Sequence, residues 1–133
     1  EMITVSTILP VDAETLYQAW LDSETHSAFT GSPAEIDPSV GGRFTAWDGY
    51  ISGYNIELVP GKKVVQAWRT TDFPTGDPDS LIEVQFVPQP EGTLISIRHE
   101  YIPDEQGDDY EIGWWQSYFE PMMAYFSTLK DSR

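Results

Sequence analysis

DDYEIGWWQSYFEPMMAYFSTL, residues 108–129, decides how this chain is read. At the ~100° per residue of an α-helix, Ile112, Trp115, Tyr118, Phe119, Met122, Met123, Phe126 and Leu129 fall on one side. Trp114 and Tyr125 border them, so the apolar arc takes up close to half the circumference. A single neighbour needs a stripe of only ~100°. An arc this wide predicts a broad, concave cover, such as a curved sheet, with a cavity between sheet and helix as a frequent by-product. Pro121 lies inside the pattern, lacks an amide donor and crowds the Ser117 carbonyl, which predicts a kink. Asp108 followed by Glu111 has the spacing of a capping box at the helix start.

The preceding residues supply the sheet. Residues 2–9 alternate with β-branched side chains and end at Pro10. Asp12 is placed to cap a helix over 13–21, with Val11 and Leu16 as a hydrophobic staple. Ser23 is placed to cap a second helix that stops at Gly31. Strands are predicted at 34–37, 42–48, 50–59, 63–71, 80–88 and 92–102. They are punctuated by GG at 41–42, DG at 48–49, PG at 60–61, PTGDPD at 74–79 and PQPEG at 88–92. Gly53 reads as a bulge that bends the sheet, and Gly113 as a point of close helix–sheet approach. Period-2 alternation turns Ile82, Val84 and Phe86 one way and Glu83 and Gln85 the other. Likewise Ile95, Ile97, His99 and Tyr101 share an inward face, as do Val64, Gln66 and Trp68. The order strand, two helices, six strands and long helix predicts one α+β domain over 1–133. Its form is a helix-grip fold, a curved antiparallel sheet of six to seven strands around the C-terminal helix.

Composition removes several function classes. Net charge is −15, from 22 Asp and Glu against 7 Lys and Arg, which repels phosphate backbones and anionic membranes alike. Neither nucleic acid nor a membrane is an expected partner, whereas a basic patch on a protein would be attracted. Cys is absent, which rules out thiolate catalysis and Cys-ligated metal. With no signal-peptide pattern and no long apolar run, the expectation is a cytoplasmic location.

Chemistry-bearing residues are sparse. His99 on the inward face reads as a ligand handle or acid–base group, or as a core imidazole paired with a backbone carbonyl or Tyr101. His26 is expected at a surface or helix end. Asp72, Asp77, Asp79, Asp104, Glu105, Asp108 and Asp109 read as solvated turn residues without EF-hand spacing. No G-x-S-x-G or Gly-rich phosphate loop is present, so neither a catalytic residue nor a cofactor or metal site is assigned. The aromatics then define the candidate site. Gln66, Trp68, Val84, Phe86, Ile97, His99, Tyr101, Trp115, Phe119 and Met122 are predicted to converge between sheet and helix. They form either an apolar ligand pocket or a filled core.

Three segments also carry a family resemblance: VDAETLYQAWLDSETHSAFTG (11–31), VGGRFTAWDGYISGYNIELVPGKKVVQAWR (40–69) and GWWQSYFEPMMAYF (113–126). With HEYIPDEQ (99–106), the chain resembles homologues of the heat-shock-protein-90 (Hsp90) ATPase activator, in the START-like (SRPBCC, birch-pollen-allergen-like) superfamily. ISGYNIELVPGKKVVQAWR is nearer the co-chaperone branch than the ring-cyclising one. The resemblance implies the C-terminal module of a stress-response co-chaperone. The expected function is therefore non-enzymatic: binding a hydrophobic small molecule in the cavity, or an Hsp90-type chaperone. The alternative is a polyketide cyclase- or dehydratase-like enzyme working in the same cavity.

Overall fold

Alternation along residues 80–89 and 92–100 sets the buried face. Ile82, Val84, Phe86, Ile95, Ile97 and His99 are all sealed from solvent. The computed structural model describes residues 1–131. Seven strands run β1 (Ile3–Leu9), β2 (Glu35–Ile36), β3 (Arg43–Ala46), β4 (Ile51–Val59), β5 (Lys63–Thr70), β6 (Ser80–Gln89) and β7 (Gly92–Glu100). They form one antiparallel sheet in the order β1-β7-β6-β5-β4-β3-β2. Consecutive hairpins build it, and β1 closes on β7 in the register Val5 to Ile97. Helices α1 (Ala13–Leu21) and α2 (Ser23–Thr30) follow β1, and α3 (Gly107–Gly113) and α4 (Glu120–Asp131) end the chain. This is the predicted helix-grip architecture.

The curvature has a different local cause from the one expected. A Cβ at Gly53 would collide with the Ala67 carbonyl and the Phe44 ring, so Gly53 permits close approach and stays in register with Trp68. The bulge lies further on, between Asn55 and Glu57. Gly113 is the reverse case: a Cβ there would meet nothing within 4 Å, so close approach does not explain it.

Helix starts show how local signals compete. Asp12 accepts the Thr15 amide at 3.1 Å, as predicted. For α2 the cap is Asp22 rather than Ser23; its carboxylate takes the Thr25 amide at 2.9 Å and the Thr25 hydroxyl at 2.7 Å. Ser23 instead accepts the Ile36 amide at 2.8 Å and anchors β2. Gly31 stops α2 with φ 78°, as read from sequence. The Asp108–Glu111 capping box does not form, because α3 begins at Gly107 and its cap position falls on Gln106, two residues before Asp108. The Glu1 carboxylate accepts the Gly107 and Glu105 amides, each at 2.7 Å. That partner is remote in sequence, so no local pattern could have indicated it.

The terminal stretch is not one uniform α-helix. Between α3 and α4, Trp114–Phe119 forms π-helical turns, and the Glu120 amide donates to the Trp115 carbonyl five residues back. Pro121 follows directly, where its missing amide leaves no four-residue bond to Ser117. The π turns reset the phase. Tyr110, Trp114, Tyr118, Met122 and Phe126 are all buried, at strict four-residue spacing. In a straight α-helix each such step would overshoot a full turn by about 40° and spiral off the core. The wider π turns absorb that drift. Trp114, expected at the border, is therefore 2% exposed, whereas Trp115 is 40% exposed. Ile112, Met123 and Leu129, placed on the apolar side by uniform periodicity, also lie in solvent. Phe119, Met122 and Phe126 hold their predicted inward positions.

Candidate functional site

Where the start of the terminal helix meets the open end of the sheet, a pocket of about 310 Å³ remains. One wall is the β3–β4 turn and the start of β4, with Trp47, Tyr50 and Ile51; Trp68 of β5 forms the floor. The other wall comes from the helix: Asp109, Tyr110, Gly113, Trp114, Ser117 and Tyr118. Trp68 meets Tyr110 nearly at right angles (87°, centroids 5.3 Å apart) and Trp114 at 39° and 5.4 Å, so flat rings form the corners. The Tyr50 hydroxyl donates to Asp72 at 2.7 Å, and desolvation, then Asp72, pushes its pKa up to about 12. Thr70 and the Tyr110 hydroxyl lie 2.6 Å apart, and Tyr110 donates onward to Gln106 at 2.9 Å.

Trp47 is held there at a cost. It has φ 52°, next to Asp48 at 55° and Gly49 at 87°, a left-handed run that costs on the order of 1–3 kcal/mol for each non-glycine residue. Its indole N–H is buried without a hydrogen-bond partner.

Behind the pocket, polar side chains are tied up in closed chains. Trp114 donates its indole N–H to His99 Nδ1 at 3.1 Å, so the proton of neutral His99 sits on Nε2 and is given to Ser80 Oγ at 2.8 Å. Ser80 donates in turn to the Trp68 carbonyl at 2.6 Å. Burial lowers the His99 pKa to about 3. His26 is equally enclosed: Nδ1 donates to the Trp20 carbonyl at 2.9 Å, leaving Nε2 to accept from Tyr118 at 2.9 Å. Burial takes its pKa to about 4 and pushes the Tyr118 hydroxyl well above its usual range. The surface position expected for His26 is thus replaced by a core one. Gln66 accepts from the Trp20 indole at 3.3 Å and donates to Asn55 at 2.9 Å. Asn55 ends that chain on the Asp37 and Ser39 carbonyls.

Residues 10–127 match the family described as Activator of Hsp90 ATPase homolog 1-like protein. The chain belongs to this family. The human activator of 90 kDa heat shock protein ATPase homolog 1 is 31% identical over 124 residues, covering 93% of this chain and 36% of the human protein. The mouse homolog 2 is 31% identical over 107 residues, 80% of this chain and 32% of the relative. The chain therefore spans about a third of the length of these curated relatives. Among solved structures, an Hsp90 activator from Plasmodium falciparum superposes with a TM-score of 0.85 at 27% identity, over 95% of this chain and 96% of that one.

In this Hsp90-activator homologue, the predicted site residues separate into three groups. Trp68 alone lines the pocket. Gln66, Val84, Phe86, Ile97, His99, Phe119 and Met122 are inward, as expected, but lie in the packed core. Tyr101 and Trp115 are not brought to the site. Tyr101 is 70% exposed, because β7 ends at Glu100 and the chain turns with φ 61° at that residue. Trp115 faces out because the π turns bring Trp114 inward instead. Sequence reasoning missed Trp47, Tyr50, Tyr110 and Tyr118 as pocket residues. The four-residue ladder Tyr110, Trp114, Tyr118 was the available signal for the helix side; the hairpin turn offered none.

Proposed function

We propose that this chain is a non-enzymatic module that docks on an Hsp90-type chaperone through the outer face of its terminal helix. The carrying observation is an exposed apolar stripe, Ile112, Trp115 and Met123, spaced along the helix beside the carboxylates of Glu111 and Glu120. Trp115 packs edge-on against Phe119 at 5.1 Å, which holds its outer face in place. Aromatic and Met side chains are favoured anchors at interfaces, and a basic rim on the partner would complement the acidic flank. Relatives named as an activator of 90 kDa heat shock protein ATPase homolog and as an Hsp90 activator support the choice of partner.

The test is retention of the purified chain on immobilised Hsp90, together with the chaperone's ATPase rate. Retention that falls at least about tenfold in Trp115→Ala, with a stability change of no more than about 1 kcal/mol, is the expected result. No retention and no change in ATPase rate overturn the proposal. The cyclase-like alternative loses both histidines as proton-exchanging groups at a cavity. His99 and His26 have both ring nitrogens engaged in the core.

A further inference from the structure

The chaperone-docking stripe leaves the aromatic pocket unused. We infer that this pocket binds an organic cation, an alkylated ammonium group seated against the Trp47 and Tyr50 rings, with Trp68 and Trp114 packed behind them and Asp109 at the rim. The inference is independent of the docking proposal, because it concerns the inner side of the helix start and a different ligand.

Two observations point to positive charge, and a third marks the pocket as a place where strain is kept. First, the walls are mostly aromatic, and ring faces carry the negative end of their quadrupole, which attracts a desolvated cation. The near-perpendicular Trp68 and Tyr110 rings form a corner, the arrangement that lets several faces reach one compact group. Second, the formal charge that the described residues place in the lining is negative. Asp109 is the charged residue among the lining side chains, and Asp72 stands behind Tyr50 as acceptor of its hydroxyl, making that phenol more electron-rich. No Lys or Arg of the described residues lines it. An anion would find a carboxylate and no countercharge. The chain's net charge of −15 adds attraction at longer range. Third, Trp47 is kept in the wall despite a left-handed backbone and an unpartnered indole N–H. Such outliers persist where the surroundings over-determine them, and they cluster at ligand clamps. The volume of about 310 Å³ suits one small head group better than a lipid chain.

Gly113 provides a direct test, because it lines the pocket and a Cβ there meets nothing within 4 Å. A larger side chain can occupy the space without disturbing the core. Binding is measured by NMR titration, following the ring and indole signals, with choline and its neutral isostere 3,3-dimethylbutan-1-ol. Choline is expected to shift Trp47, Trp114 and Tyr110 and to bind at least about tenfold more tightly than the isostere. Gly113→Leu should abolish binding of both while remaining folded. Asp109→Asn, at an exposed position, should weaken choline severalfold and leave the isostere unchanged. Peptides with and without trimethyl-lysine identify the source of the cation. Preference for the methylated peptide over choline points to a protein side chain, and the opposite order to a free small molecule. Equal binding of choline and isostere overturns the inference, as does the absence of any shift at millimolar choline. Should Gly113→Leu fail to fold, Asp109→Asn and the isostere comparison still decide.

Discussion

Around Met122 and Phe119 the sheet–helix interface is shut, with Val84, Ile95, Ile97 and Met122 wholly buried. Around Trp114 and Trp68, toward the other end of the same helix, it gapes by about 310 Å³. Both ends are apolar, so hydrophobicity alone does not separate them. Side-chain shape does. Met and the branched aliphatics bend and interdigitate until space is used up. Indole and phenol rings are rigid plates fixed at tilts such as 39° and 87°, and plates at fixed angles enclose space between them. Filling and binding are thus two outcomes of one packing problem.

The largest effect should appear when the closed end is opened. Phe119→Ala should cost about 3–5 kcal/mol, read by chemical denaturation, because surroundings this dense cannot collapse into the void. A cost below about 1 kcal/mol would mean that the closed end is as loosely packed as the pocket. The second effect is on pH. Both histidines have folded pKa values depressed by burial, to about 4 for His26 and about 3 for His99, against 6.5 when unfolded. The unfolded chain therefore takes up protons first. The stability these groups contribute is complete above pH 6.5 and is lost as pH falls toward their folded values, roughly 3 kcal/mol each by pH 4. Unfolding curves between pH 7 and 4 should show this slope, and a flat profile would contradict the enclosed positions. It runs against the relief of self-repulsion as the chain nears its isoelectric point of about 4.1.

The third effect has the opposite sign. Gly113→Ala at the open end should stabilise by about 0.5–1 kcal/mol, since the methyl group meets no atom and the helical backbone (φ −61°) suits alanine. A fall in melting temperature would show that the space is not free. The smallest belongs to the outer face. Trp115→Ala should change stability by no more than about 1 kcal/mol, less than a core truncation, because its body is half in water. A core-sized loss would return Trp115 to the interior and remove the case for a docking stripe.

Much of the fold was legible because strand alternation, Asp12 and Gly31 act over a few residues. Ile82, Val84 and Phe86 turned inward as a period of two demands. The misplacements share one cause: an element outside the window of reading. A constant turn angle places Trp115 inward, and one run of wider turns undoes it. Running the last strand on to residue 102, two residues beyond the end of β7 at Glu100, places Tyr101 inward. The cap of α3 came from Glu1, and His26 found Tyr118 ninety-two residues away. The pocket was hardest to foresee, since Trp47 and Tyr50 reach Trp114 only once the hairpin and helix are assembled.

The π turns from Trp114 to Phe119 make the number of residues between Gly113 and Glu120 matter as much as their chemistry. Losing a single residue there would let an ordinary α-helix run through. Both halves would still face the core, because the wider turns take up the ~100° that the extra residue would otherwise add, like a gear train cut to carry one spare tooth. Straightening the same turns to α geometry with all six residues kept would instead rotate one half against the other by that angle and turn Trp115 inward in place of Trp114.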